Sequence, residues 1–175
     1  VSTLLAPLRQ RRGALCILHV NSEHADQRYS HRPPSAVAAA ARRLGFSFVF
    51  STDLSQCLRG FAEARELERR SASASGSFHN ARLPLISCEC PVCDEAIARK
   101  YHTLAPLLSP CGTTLAVQSA LVRDVWAEHH NVNPADLYQV ALIRDGEHCH
   151  DRKKLCALTG MDGVVTNEEL EAALC

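Results

Sequence analysis

The sequence predicts an α/β fold, a parallel sheet of about four to five strands with helices on both faces. Three observations lead there. Short apolar runs alternate with longer helix-like segments along the 175 residues, a rhythm that gives right-handed crossovers and a sheet covered on both sides. The first run, Ala14 to Val20, is apolar enough to be buried on both faces, as strands of parallel sheets are. Helix-start and helix-stop residues fall between the runs, where such a fold needs them.

The elements follow in order. After the first strand, Asn21 to Arg32 is polar, carries His24 and His31, and reads as a loop. Pro33-Pro34-Ser35 precedes an alanine-rich helix that Ser35 can cap and Gly45 can end in a left-handed conformation. Phe46 to Phe50 is an aromatic and β-branched second strand. Leu54 to Arg70 is a second helix; Leu54, Cys57, Leu58 and Phe61 share an apolar face, with Cys57 a buried small hydrophobe, and Glu63, Arg65, Glu66 and Arg69 face water. Residues 71–80, which open on Ser71 to Ser77, form a mobile surface loop.

Leu83 to Ser87 is expected as a third strand, and Asp94 to Tyr101 as the helix behind it. Between them lie Cys88, Cys90 and Cys93. Strand, tight turn and helix place these thiols at a strand's carboxyl end, where open α/β sheets build sites. Thr113 or Thr114 can cap a long helix reaching about His129, with Leu115, Ser119, Val122 and Trp126 on one side, Leu121 and Val125 beside them, and Trp126 as a core anchor. Asn133-Pro134 starts a short helix. Leu137 to Ile143 and Gly163 to Thr166 are the last strands, and Thr166 with Glu169 makes a capping box for the final helix.

The totals exclude several classes. Apolar residues are 46% and charged residues 22%, an ordinary globular composition, so residues 14–175 read as a single domain behind a basic arm at residues 1–13. Nineteen basic and nineteen acidic side chains cancel, so a strongly basic nucleic-acid surface is not expected. No run approaches the roughly 20 apolar residues of a membrane span. Nine cysteines cannot all pair within the chain, which points to a reducing compartment. Arg9, Arg11 and Arg12 without a nearby acid suggest a mitochondrial targeting remnant, with the cytoplasm as the alternative location. A solvated arm, or one touching RNA, fits the same residues. No Ser–His–Asp order sits on a nucleophile elbow.

The stretch from Cys90 to Val122 resembles the first cluster motif of the iron-only hydrogenases and of their hydrogenase-like relatives in cytosolic iron–sulfur protein assembly. The match takes in Cys90-Pro91, Tyr101, Leu104, Pro106, Leu108-Ser109, Cys111 and Ala120-Leu121. It extends upstream through Ala40 to Asp53, and downstream through Asn133 to Ile143 and Met161 to Thr166. It covers most of this chain, and about the first half of the family's catalytic domain, so the fold implied is that domain's first lobe. In the family, four cysteine thiolates from three motifs hold a four-iron cluster. Cys90 matches the first ligand. Glu89 stands where the family has a proton-moving thiol, Cys93 where it has tryptophan, and Thr113-Thr114-Leu115 where it has serine-proline-glutamine. Arg144 and Asp145 align with the second motif's proline and cysteine, and sliding the match recovers Cys149. The third motif lies beyond the matched part. Such clusters need soft thiolate donors.

Set against that background, the first expectation for the thiols is that they are remnants of an ancestral site and hold no cofactor. A four-iron cluster using Cys88, Cys90, Cys93 and Cys149 is the alternative. Zinc is another, because Cys88, Cys90 and Cys93 could be joined by His148, Cys149 and His150. A redox motif Cys90-Pro91-Val92-Cys93 is a third, with a thiol pKa lowered at the helix start. The expected function is a catalytically inactive hydrogenase-like domain, a structural or accessory subunit whose partners are other protein subunits of a larger assembly. An iron–sulfur biogenesis factor or cluster carrier is the alternative, and a thiol–disulfide oxidoreductase a further one.

Overall fold

The computed structural model describes residues 13–21, 34–75, 83–143 and 151–174. Strands β1 (Leu15–Val20), β2 (Phe48–Ser51), β3 (Leu137–Ile143) and β4 (Gly163–Thr166) form one parallel sheet in the order β2-β1-β3-β4. Every residue of β3 is buried, as a central strand requires. Side-chain alternation divides the core in two. Cys16, Leu18, Val20, Tyr138, Val140 and Leu142 pack with Ala41 of α1 (Pro34–Leu44) and Leu170 of α6 (Asn167–Leu174). On the other face, Ile17 and Leu137 pack with Val122 and Ala127 of the long helix α4.

Several local expectations hold. Gly45 ends α1 at φ 105°. Helix α4 runs without a break through α-helical Thr114–Ala120, π-helical Leu121–Trp126 and α-helical Ala127–His129. Thr113 caps it, its Oγ1 accepting from the Ala116 amide at 3.3 Å. Trp126 meets Phe48 and Phe50 edge-on, at centroid distances of 5.2 and 5.6 Å. The Asn133 side chain accepts from the Ala135 amide at 3.0 Å. The capping box closes in both directions: Thr166 N–H donates to Glu169 Oε2 at 3.1 Å, and Glu169 N–H to Thr166 Oγ1 at 3.3 Å.

Three expectations are corrected. Leu83 to Ser87 is not a strand of the sheet. It makes one isolated parallel bridge, Ile86 with Leu108, and Leu83, Pro84 and Ser87 are exposed. Pro84 has no amide to offer a ladder. The cysteine turn therefore follows a side segment and not a strand of the sheet.

Helix α2 (Asp53–Ser75) is turned the other way round from its apolar pattern. Leu54, Cys57, Leu58 and Phe61 are exposed, whereas Ser55, Arg59 and Arg70 are buried. Glu63 and Glu66, expected in water, are half-buried. Cys57 is exposed rather than buried. The inward arginines explain the reversal. Arg70 donates to Leu107 O at 3.1 Å, to Leu108 O at 3.0 Å and to Glu66 at 2.7 Å, which satisfies a buried guanidinium with fixed acceptors.

The same helix takes in Ser71 to Ser75, expected as loop, while residues 76–80 lie outside the described residues. So does the basic arm, except for Gly13, and with it the expectation that the arm could touch RNA. Among the described residues no helix is long and apolar enough to cross a membrane.

Candidate functional site at the cysteine turn

Helix α3 (Pro91–Lys100) starts with proline in its first turn and Cys90 as its cap, the Cys90 Sγ accepting from the Cys93 amide at 3.4 Å. A proline there removes an amide that would have no partner, and the cap satisfies another. Cys88 points its thiol at the Cys90 carbonyl, 3.3 Å away. Burial pushes the Cys88 thiol pKa up. A hydrogen bond with Cys90, helped by burial, pushes Cys93 up although it is exposed. Neither thiol shows the depression expected of a helix start.

The turn is held from α2 by Arg59. Its Nε donates to Gly112 O at 2.9 Å, its Nη1 to Glu89 Oε2 at 2.5 Å, and its Nη2 to Glu63 Oε1 at 2.9 Å and Ser87 Oγ at 2.7 Å. Ser87 in turn donates to Glu63 Oε2 at 2.9 Å. The other oxygen of Glu89 accepts the Thr114 amide at 3.1 Å, at the positive end of α4. One guanidinium thus ties α2, the cysteine turn and the entry to α4 together.

A second polar group is buried against the sheet. Ser55 Oγ donates to Gln118 Oε1, and Gln118 Nε2 lies 3.1 Å from His19 Nδ1. With the amide nitrogen facing the ring, Nδ1 accepts and the ring proton sits on Nε2. Burial pushes the His19 pKa down to about 4, with Gln139 opposing the shift. The imidazole is neutral at physiological pH.

The candidate residues divide accordingly. Cys88, Cys90 and Cys93 are on one turn; Arg144, Asp145, His148, Cys149 and His150 lie outside the described residues. Among the described residues no three His, Cys, Asp or Glu side chains are grouped to hold a metal ion. Arg59, with two carboxylates and a serine around it, offers an iron–sulfur cluster no soft donor, and the soft donors of this turn are the thiols of Cys88, Cys90 and Cys93. The residues missed in sequence are Arg59, Glu63, Ser87 and Gly112. One signal could have found the first two: Thr52, Ser55, Arg59, Glu63, Glu66 and Arg70 recur at three-and-four spacing, a polar stripe opposite the apolar one.

Solved structures similar to this chain include FeFe-hydrogenases. One, from stepwise H-cluster assembly, superposes with a TM-score of 0.78 at 23% identity, covering 98% of this chain and 45% of that one. One from a study of oxygen inactivation gives 0.79 at 23% identity, covering 98% and 46%. An apo FeFe-hydrogenase from Chlamydomonas reinhardtii gives 0.76 at 23%, covering 98% and 46%. The chain spans less than half the length of these neighbours. At such identity the likeness establishes the fold. No curated protein matches. The profile described as "Iron only hydrogenase large subunit, C-terminal domain" matches residues 17–174, nearly the whole chain, and on that match the chain belongs to the iron-only hydrogenase large-subunit family.

Proposed function

We propose that this chain is a catalytically inactive member of the family, a structural or accessory subunit of a larger protein assembly. The observation that supports it is the occupation of Glu89. The residue aligned with the family's proton-moving thiol spends both oxygens on Arg59 and the Thr114 amide. The Glu89 carboxylate, standing where the family has a thiol, serves here to join helices. Two measurements test the reading. Anaerobic reconstitution with iron and sulfide should leave a colourless protein without hydrogen evolution. In native extract the chain should run with other proteins, well above its 19.2 kDa. Hydrogen turnover, or a chain that meets no other protein in the extract, overturns it.

The bond from the Cys93 amide to the Cys90 sulfur favours a second reading, thiol–disulfide exchange. A Cys90 thiolate attacks a substrate disulfide and displaces one thiolate. Cys93 then attacks the mixed disulfide, releasing the second thiol and leaving a Cys90–Cys93 disulfide. Mass spectrometry after incubation with oxidised glutathione tests this: loss of two hydrogens confined to these cysteines supports it, and stable glutathione adducts on Cys90 overturn it.

A further inference from the structure

A groove of about 390 Å³ runs along the β2 edge of the sheet, between the start of α2 and the second half of α4. Phe50, Leu54, Leu121, Val125 and Trp126 give it apolar walls, and no lysine or arginine lines it. The α4 wall is the π-helical part, Leu121–Trp126. Its wider turn sets residues four and five apart one above another, so Leu121, Val125 and Trp126 share the groove side. Leu54 is 60% exposed and Val125 58%, and contiguous exposed apolar surface marks an interface.

The chain enters the sheet beside this groove. Gly13, at φ 102°, leads into β1. Leu15 packs against the core cluster that also takes Trp126 and Val132, so the entry point stands next to the last turn of α4. Residues 1–12 precede it and lie outside the described residues. Their sequence is apolar and then basic: Leu4, Leu5, Ala6, Pro7 and Leu8 come first, and Arg9, Arg11 and Arg12 follow. The groove has the same two characters. Asp124 and Glu128 stand exposed on α4 beside Val125, and the carbonyl end of that helix adds to their negative charge.

We infer that the groove is the docking site of the chain's own residues 1–12, with Leu4, Leu5 and Leu8 against Phe50, Leu54, Val125 and Trp126. Reach and order agree. Leu8 is five residues from Gly13 and Leu4 is nine, spans of at most about 18 and 32 Å at roughly 3.5 Å per residue. Leu8 therefore meets the Trp126 end, close to the entry point, and Leu4 the far end at Leu54. Arg9, Arg11 and Arg12 fall between, at the last turn of α4, where Asp124 and Glu128 stand. Apolar segment, basic segment and tether thus follow the same order as groove, acidic rim and entry point, and that order selects this arm as the occupant. Tethering also holds it at a millimolar effective concentration, so weak pairing is enough to fill the groove.

Trp126 is the single tryptophan of the chain, so its fluorescence reads the groove directly. In the full chain, Leu5→Asp with Leu8→Asp should shift the emission to the red and increase quenching by acrylamide. A synthetic peptide of residues 1–12, added to that variant, should reverse both changes and saturate, and the same peptide carrying the two aspartates should not. Arg9→Glu with Arg12→Glu should shift the emission the same way. Leu67→Asp, at an exposed site farther along α2, should change nothing, and a thermal melt checks that each variant is folded. An emission indifferent to Leu5→Asp with Leu8→Asp overturns the inference, as does a native peptide that reverses nothing. Emission of the unaltered chain that moves with its own concentration also overturns it, because a second copy is then the occupant.

Discussion

Arg59 Nη1 lies 2.5 Å from Glu89 Oε2, with the arginine side chain 10% exposed and the glutamate 59% exposed. The two ends of this bond are therefore unequal. The arginine has left water and depends on every acceptor around it, while the glutamate keeps most of its hydration. Their replacements should differ accordingly.

Arg59→Met should destabilise the fold by about 3 kcal/mol, because Glu63, Ser87 and the Gly112 carbonyl lose a shared donor in a dry setting. Glu89→Gln should cost under about 1 kcal/mol, since the pair is solvent-screened on that side and an amide oxygen can still accept from Thr114. Urea unfolding of both variants checks the order. Equal losses would show that the turn, and not the guanidinium, carries the joint.

His19 makes stability depend on pH. Its folded pKa of about 4 lies below the ordinary value of 6.5, so between these two the unfolded chain binds more protons than the folded one. The contribution of neutral His19 is full above pH 6.5 and is lost as pH falls towards 4. The shift corresponds to about 3 kcal/mol. His19→Gln should flatten the denaturation profile across that window. An unchanged slope would mean that other groups control it.

The capping box at α6 gives a smaller and cleaner test. Thr166→Ala removes an acceptor for the Glu169 amide and should cost about 1 kcal/mol. Glu169→Gln keeps a group able to reach back to the Thr166 amide but gives up the ion pair to Arg152, 2.9 Å away. That pair is partly exposed, so its loss should cost less than the cap. Thermal melts of the two variants rank them.

Local chemistry was legible in the sequence where one residue decides the outcome. Gly45 must leave the helix, Asn133-Pro134 must start one, and Thr166 with Glu169 can close a box unaided. The side of α2 that faces inward was not legible. A helical pattern establishes that two faces exist, and burial of Leu54 and Phe61 is the ordinary solution. The choice was made by acceptors remote in sequence, Gly112 O, Leu107 O and Leu108 O, which receive Arg59 and Arg70. Leu83 to Ser87 failed for a related reason. Five residues with a proline pair as readily with a lone neighbour such as Leu108 as with a sheet.

Cys88 and Cys93 are shifted in the same direction for different reasons, and one substitution separates them. The Cys93 pKa is raised first by its hydrogen bond with Cys90, the Cys88 pKa first by burial. Raised values leave less thiolate at neutral pH, so both should alkylate slowly there and faster as pH climbs. Cys90→Ala removes the partner of Cys93 and leaves the burial of Cys88 in place. The pH–rate curve of Cys93 should then move down towards the ordinary thiol value, while that of Cys88 should move less. Peptide-resolved iodoacetamide labelling reads each curve separately. If both curves move together, the thiols respond to the opening of the whole turn, and the hydrogen bond between Cys90 and Cys93 is not what controls Cys93.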